Sequence, residues 1–211
     1  MAQGRFIALE GGEGTGKSTQ SRLLANYLQE QGLEVATTRE PGGTPGAEAI
    51  RHLLLDPSGD GWEAEAEALL FAAARSDHVA RLIRPALERG AWVVSDRFLD
   101  SSRAYQGGGG GLTDDAIMDL HRFGSRGLLP DLTILIDVPD DAIAERLARR
   151  DGGESDRIGG RDAAFHRRVK DAFVRFADRE LGRFATIDGS GDVEATHAAI
   201  VTAIEPLLAI R

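Results

Sequence analysis

Lys17 and Ser18 close the run Gly11-Gly12-Glu13-Gly14-Thr15-Gly16-Lys17-Ser18, with Thr19 after it, and this G-x-x-x-x-G-K-[ST] spacing suits a polyphosphate. The glycines let successive backbone N–H groups turn inward on an anion at a helix N-terminus. Lys17 adds a point charge, and Ser18 a hydroxyl for Mg²⁺. An apolar run, FIALE, precedes the glycines and a helical pattern follows, which is the strand-to-helix setting such a loop needs. A turn that merely joined strand to helix would need neither the lysine nor the serine. Residues Gly11 to Thr19 are therefore expected to bind a nucleoside triphosphate, and the motif leaves the acceptor open.

Other residues with chemistry lie at strand ends. AWVVS delivers Asp96-Arg97-Phe98, where an aspartate can hold Mg²⁺ and an arginine can clamp a phosphate; a salt-bridged strand end is the plainer reading. Leu33 to Thr38 runs into Arg39-Glu40-Pro41-Gly42-Gly43-Thr44-Pro45-Gly46, expected as an irregular loop at the ligand-binding end of a parallel strand. Phe71 and Arg75, four apart on a helix, share a face that suits a flat base and its polar edge; by residue type alone, a core phenylalanine beside a surface arginine is commoner. Ser101, Ser102, Tyr105 and Gln106 lead into five glycines, Gly107 to Gly111, read as a flexible tract that brings backbone close to something or forms a loop tip. Arg149-Arg150 through Asp156-Arg157 mixes charge with paired glycines, as a mobile lid or a solvated surface loop would.

Five β-rich runs, FIALE, Leu33 to Thr38, AWVVS, Leu132 to Val138 and Phe184 to Ile187, alternate with helical stripes. Alternation of this kind predicts an α/β fold: a five-stranded parallel sheet with helices on both faces. Residues 62–90 read as a long helical stretch broken near Pro85, and Ile50 to Leu54 as a short helix. With 211 residues and 42% hydrophobic content, one domain spanning 1–211 is expected, without a linker or repeat. No run reaches the roughly 18 apolar residues of a membrane span, and no signal-like h-region opens the chain. The chain has no cysteine, so no disulfide or thiolate enters, and a cytoplasmic location fits. A net charge of −9 opposes general affinity for nucleic acid, so the positive charge that a polyanion needs must be local.

Taken in order, these segments closely resemble the thymidylate kinase family. EGGEGTGKST resembles its phosphate-binding loop (P-loop), TREPGGT the loop that follows, LLFAAAR its base-binding helix, SDRF its DR-aromatic motif and SSRAYQGGGG its substrate segment. LPDLTILIDV and Asp156-Arg157-Ile158 also correspond. The resemblance implies a P-loop kinase fold with a small lid at about 149–161, and transfer of the ATP γ-phosphate to dTMP, giving dTDP and ADP for dTTP synthesis.

By the same resemblance Glu13 would bond the sugar 3′-hydroxyl, Phe71 would stack on thymine, and Arg75 would reach its O4. Arg97 would clamp the dTMP phosphate with Arg39 nearby, and Ser102, Tyr105 and Gln106 would complete the nucleoside pocket. Asp96 and Ser18 would organise Mg²⁺. Thr15 stands where some members carry an arginine, which implies the bacterial type that draws catalytic charge from lid residues Arg157, Arg149 and Arg150 besides Lys17 and Arg97. The family also implies a homodimer. The acceptor phosphate is already anionic, so no base is expected. The readings left beside this one are another nucleoside or nucleoside monophosphate kinase, and a P-loop ATPase or GTPase switch acting on protein or DNA. No N-K-x-D guanine signature follows the strands.

Overall fold

The computed structural model describes residues 4–58, 61–149 and 156–209, with the side chains of 147–149 excepted. Five strands, β1 (Phe6–Glu10), β2 (Val35–Arg39), β3 (Trp92–Asp96), β4 (Leu132–Asp137) and β5 (Phe184–Asp188), form one parallel sheet in the order β2-β3-β1-β4-β5. β1 is central and pairs Leu9 with both Asp96 and Ile134.

Alternation along the strands divides the core. Ile7, Leu9, Ile134 and Ile136 face Leu24 and Leu28 of α1 (Lys17–Glu30) and Ile200 and Ile204 near the C-terminus. Phe6, Ala8 and Val93 face the other way, toward Ala68, Val79, Ile83 and Ala86. Both faces are thus covered, which is why the strands read as nearly continuous apolar runs.

Helix α2 (Pro45–Leu55) starts earlier than the expected irregular loop allowed. Thr44 caps it by accepting from the Ala47 N–H at 3.3 Å, and Pro45 sits in its first turn, where a missing N–H costs nothing. α3 (Ala64–His78) does not break at Pro85. A π turn, Val79–Ile83, widens the helix just before it, and Pro85 then occupies the first turn of α4 (Arg84–Glu88).

The glycine tract is also not a mobile loop tip. After a short α5 (Leu99–Ser102), the segment Arg103–Gly109 forms a second π turn, ahead of α6 (Asp114–Ser125) and α7 (Asp140–Arg149). This π turn is buried against α8 (Ala163–Arg179), with α9 (Val193–Ala209) closing the chain. A Cβ on Gly108 would stand 2.5 Å from the Ala172 Cβ, and one on Gly109 2.5 Å from the Phe165 ring. The glycines here purchase close backbone approach to α8. Gly108→Ala is accordingly expected to lose about 1–3 kcal/mol in urea denaturation through overpacking, and an unchanged midpoint would contradict this packing.

Candidate active site

The carboxyl ends of β1 and β3 lie side by side, so the glycine-rich loop after one meets the Asp96-Arg97 turn after the other. Gly11 has φ 142°, and a Cβ there would come within 2.7 Å of the Ile136 carbonyl, so glycine is required where the loop leaves β1. Ser18 Oγ donates to Asp96 Oδ2 at 2.5 Å, joining the first turn of α1 to the end of β3. Lys17 Nζ donates to the Gly12 carbonyl at 2.5 Å and to Thr15 Oγ1 at 3.3 Å. Burial pulls the Lys17 pKa down to about 8, with the Arg97 charge adding to the effect.

Arg97 has φ 71°, a left-handed conformation that side-chain-bearing residues rarely adopt. Glu10, buried at the end of β1, holds the turn: Oε1 accepts from the Phe98 N–H at 2.8 Å and the Ser101 N–H at 3.0 Å, and Oε2 from Ser101 Oγ at 2.6 Å. Burial pushes the Glu10 carboxyl up to about 7, helped by Asp100 and opposed by Arg97.

The Arg97 fork then spans the site. Nη1 donates to the Gly11 carbonyl at 2.9 Å and to Ser101 Oγ at 3.0 Å, while Nη2 donates to Glu13 Oε1 at 2.6 Å and to Tyr105 Oη at 3.2 Å. Arg97 in turn holds the Glu13 carboxyl down at about 2. Burial alone would lower the Arg97 pKa, but the Tyr105 hydroxyl oxygen and the Glu13 and Glu10 carboxyls around it raise it. Phe98 turns into the core, edge-on to Phe6 at 4.8 Å.

On the far side of this turn, Arg75 is 3% exposed. Its Nε donates to Glu40 Oε2 at 2.7 Å, and its Nη2 to Ser102 Oγ at 2.8 Å and to the Phe98 carbonyl at 3.2 Å. Glu40 also pairs with His78, Nδ1 to Oε1 at 2.9 Å. Phe71, half-buried, lies one turn before Arg75. Gln106 Nε2 donates to Glu67 Oε1 at 2.9 Å.

These groups share one cavity of about 410 Å³. Its walls include Glu13, Gly14 and Gly16 to Thr19, the turn residues Asp96 and Arg97, and Arg39, Phe71, Arg75, Ser102, Tyr105 and Gln106. Gly11, Gly12 and Thr15 line a second recess of about 400 Å³, on the flank of the loop toward β4 and α8. Six cationic side chains against four acidic ones, Glu13, Glu40, Asp96 and Asp156, line the first cavity in a protein of net charge −9. The positive charge is local, as a polyanion requires.

Two of the six escape sequence reasoning. Arg51 on α2 donates to the Pro41 carbonyl at 2.7 Å, and Arg146 on α7 donates to the Gly189 carbonyl at 2.6 Å. Arg51 has a faint signal, three residues after Glu48 on the helix leaving the Arg39 loop; Arg146 has none beyond its closeness to Arg149. Arg157 is not brought to the phosphate loop. Its Nε and Nη2 donate to the Leu54 carbonyl at 3.0 and 2.8 Å, and it does not line the cavity. Arg150 and the side chain of Arg149 lie outside the described residues, as does much of the expected lid.

A family profile described as Thymidylate kinase matches residues 9–200. The chain belongs to the thymidylate kinase family. It is 58% identical over 205 residues to a thymidylate kinase of Rhizorhabdus wittichii, covering 97% of this chain and 99% of that one. Identity is 49% over 210 residues to a thymidylate kinase of Chromohalobacter salexigens, covering 99% of each. A crystal structure of thymidylate kinase from Ehrlichia chaffeensis superposes with TM-score 0.79 at 32% identity, covering 96% of this chain and all of that one.

The sites of Lys17 and an incoming polyphosphate are linked by charge. An anion beside Lys17 raises its pKa from about 8, so ATP binding at pH 8.5 should take up a proton. Titration calorimetry in buffers of different ionisation enthalpy is expected to show that uptake, and to lose it in Lys17→Met.

Proposed function

We propose that this chain, as a single domain, transfers the γ-phosphate of ATP to the 5′-phosphate of dTMP, giving dTDP and ADP. One observation carries the reading beyond family membership: the phosphate loop and the Phe71-Arg75 face open into one cavity with Asp96-Arg97 between them. A hydrolytic switch has no use for a base-sized platform across from its triphosphate, which argues against the ATPase or GTPase alternative.

In this mechanism Gly11 to Thr19 hold the donor phosphates, with Lys17 against their charge. Phe71 packs on thymine, Arg75 donates to its O4, and Glu13 and Tyr105 flank the sugar. Ser102 acts through Arg75, whose Nη2 it accepts at 2.8 Å. Arg97 and Arg39 grip the acceptor phosphate, which is already ionised and needs no base. Alignment and charge neutralisation do the work, as in phosphoryl transfer generally.

Mg²⁺ fits the donor set at the loop. Ser18 and Asp96 offer two oxygen donors 2.5 Å apart, and no cluster of three or more acidic or histidine side chains among the described residues would cage a metal alone. That suits an ion that retains waters and takes its remaining ligands from phosphates. When bound, it would neutralise charge on the phosphate oxygens.

The lid arginines Arg149, Arg150 and Arg157 would supply charge to the transferring group, and Arg157, which rests on Leu54, would reach it only on closure. We further propose a homodimer through the layer formed by α2, α3 and α6, which exposes Leu53, Leu69 and Phe123, the last at 92%. Sedimentation should then give twice the chain mass of 22.6 kDa. No helix among the described residues is long and apolar enough to cross a membrane, and we place the protein in the cytoplasm.

An ADP-release assay over dTMP, dUMP, CMP and thymidine, with and without Mg²⁺, tests the reading. Transfer to dTMP that requires Mg²⁺ is expected, and equal rates without dTMP would reject it. In the same assay Arg97→Ala should lower kcat by about 10³-fold or more. Its circular dichroism spectrum should stay that of the folded chain, because Glu13, 41% exposed, can be solvated once unpaired.

A further inference from the structure

Glu67 lies on α3 four residues before Phe71 and eight before Arg75, so the three project along one helical face. Its carboxylate is 2% exposed. Oε1 accepts from Gln106 Nε2 at 2.9 Å, whereas Oε2 takes the Arg161 guanidinium and lies 3.7 Å from Arg157 Nη2. The two arginines compensate a charge that would otherwise be costly to bury.

A carboxylate offers only lone pairs, but a carboxamide donates at one end and accepts at the other. With Nε2 committed to Glu67, the Gln106 atom left to the cavity it lines is Oε1, an acceptor with no hydrogen bond among the described residues. Glu67 therefore fixes which way the amide faces. Arg75 is the counterpart. Its Nε and Nη2 are spent on Glu40, Phe98 and Ser102, which leaves Nη1 as a donor without a partner among the described residues in the same cavity.

A donor and an acceptor lining one cavity can match one kind of pyrimidine edge. A 4-oxo ring presents an acceptor O4 next to a donor N3–H; a 4-amino ring presents a donor next to a bare N3, reversing both. We propose that Glu67 is a specificity-determining positioning residue, which turns Gln106 Oε1 toward the base so that 4-oxo pyrimidine monophosphates are taken and 4-amino ones refused. This rests on the proposed transfer to dTMP. Buried polar groups left facing like groups discriminate far more strongly than a missing methyl does.

The test is the ratio of kcat/KM for dTMP to that for dCMP, with ATP and Mg²⁺, in the wild-type chain and in Glu67→Gln. A glutamine at 67 can accept or donate, so it frees the Gln106 amide to flip. The ratio should fall about tenfold or more, chiefly by a gain with dCMP, while dUMP tracks dTMP. A role in folding alone would lower both substrates together, and an unchanged ratio overturns the proposal.

Should circular dichroism show Glu67→Gln unfolded, Gln106→Leu decides: loss of the dTMP preference supports the assignment, and retention overturns it. Failure of the wild-type chain to phosphorylate dTMP would instead reject the proposed function. The two failures are therefore distinct.

Discussion

The hold of Glu10 on the 97–101 turn is the constraint on which the site depends. A carboxylate at the end of the central strand accepts two backbone N–H groups and a hydroxyl from a turn that follows a different strand. Those bonds offset the cost of keeping Arg97 at φ 71°, of order 1–3 kcal/mol for a strained residue. Without them the guanidinium would have no fixed origin, and its reach to Gly11, Glu13 and Tyr105 would lose its register. The strain sits beside the glycine-rich loop, and a rigid scaffold of parallel strands supports it.

A second rigid unit faces the first. Along α3, Glu67, Phe71 and Arg75 present an acceptor, a ring and a donor set on one helical face, and each polar member is fixed by partners from other elements. Glu40 and Ser102 hold Arg75; Glu67 holds Gln106. Among the described residues, Gln106 Oε1 and Arg75 Nη1 are left without partners where these residues line the cavity. Net negative charge elsewhere on the chain costs this site little, because the cations are concentrated at the strand ends.

The sheet and the phosphate loop were legible because their signals are local: apolar runs bounded by turns, and a glycine spacing followed by Lys17-Ser18. Asp96 and Arg97 were legible for the same reason, at the end of a strand. Features fixed by distant partners were not. That Gly108 and Gly109 are packed depends on Ala172 and Phe165, some sixty residues away, which nothing in the tract reveals. Pro85 looked like a break because the widened turn at Val79–Ile83 carries no mark in composition. Arg51 and Arg146 look like ordinary helix-surface arginines until the fold points them inward. Arg157 rests on the Leu54 carbonyl near Glu67, a place set by partners far away in sequence that its own segment does not reveal.

The position of β1 has a consequence for synthesis of the chain. Both of its edges are completed by strands made much later, β3 and β4, and Gly11 packs on the carbonyl of Ile136. The nucleotide cradle is encoded at the start, yet it gains its second wall only after Ile136 has been added. A ribosome-bound fragment ending before β4 would carry every residue of the Gly11 to Ser18 motif and still lack the surface that seats it.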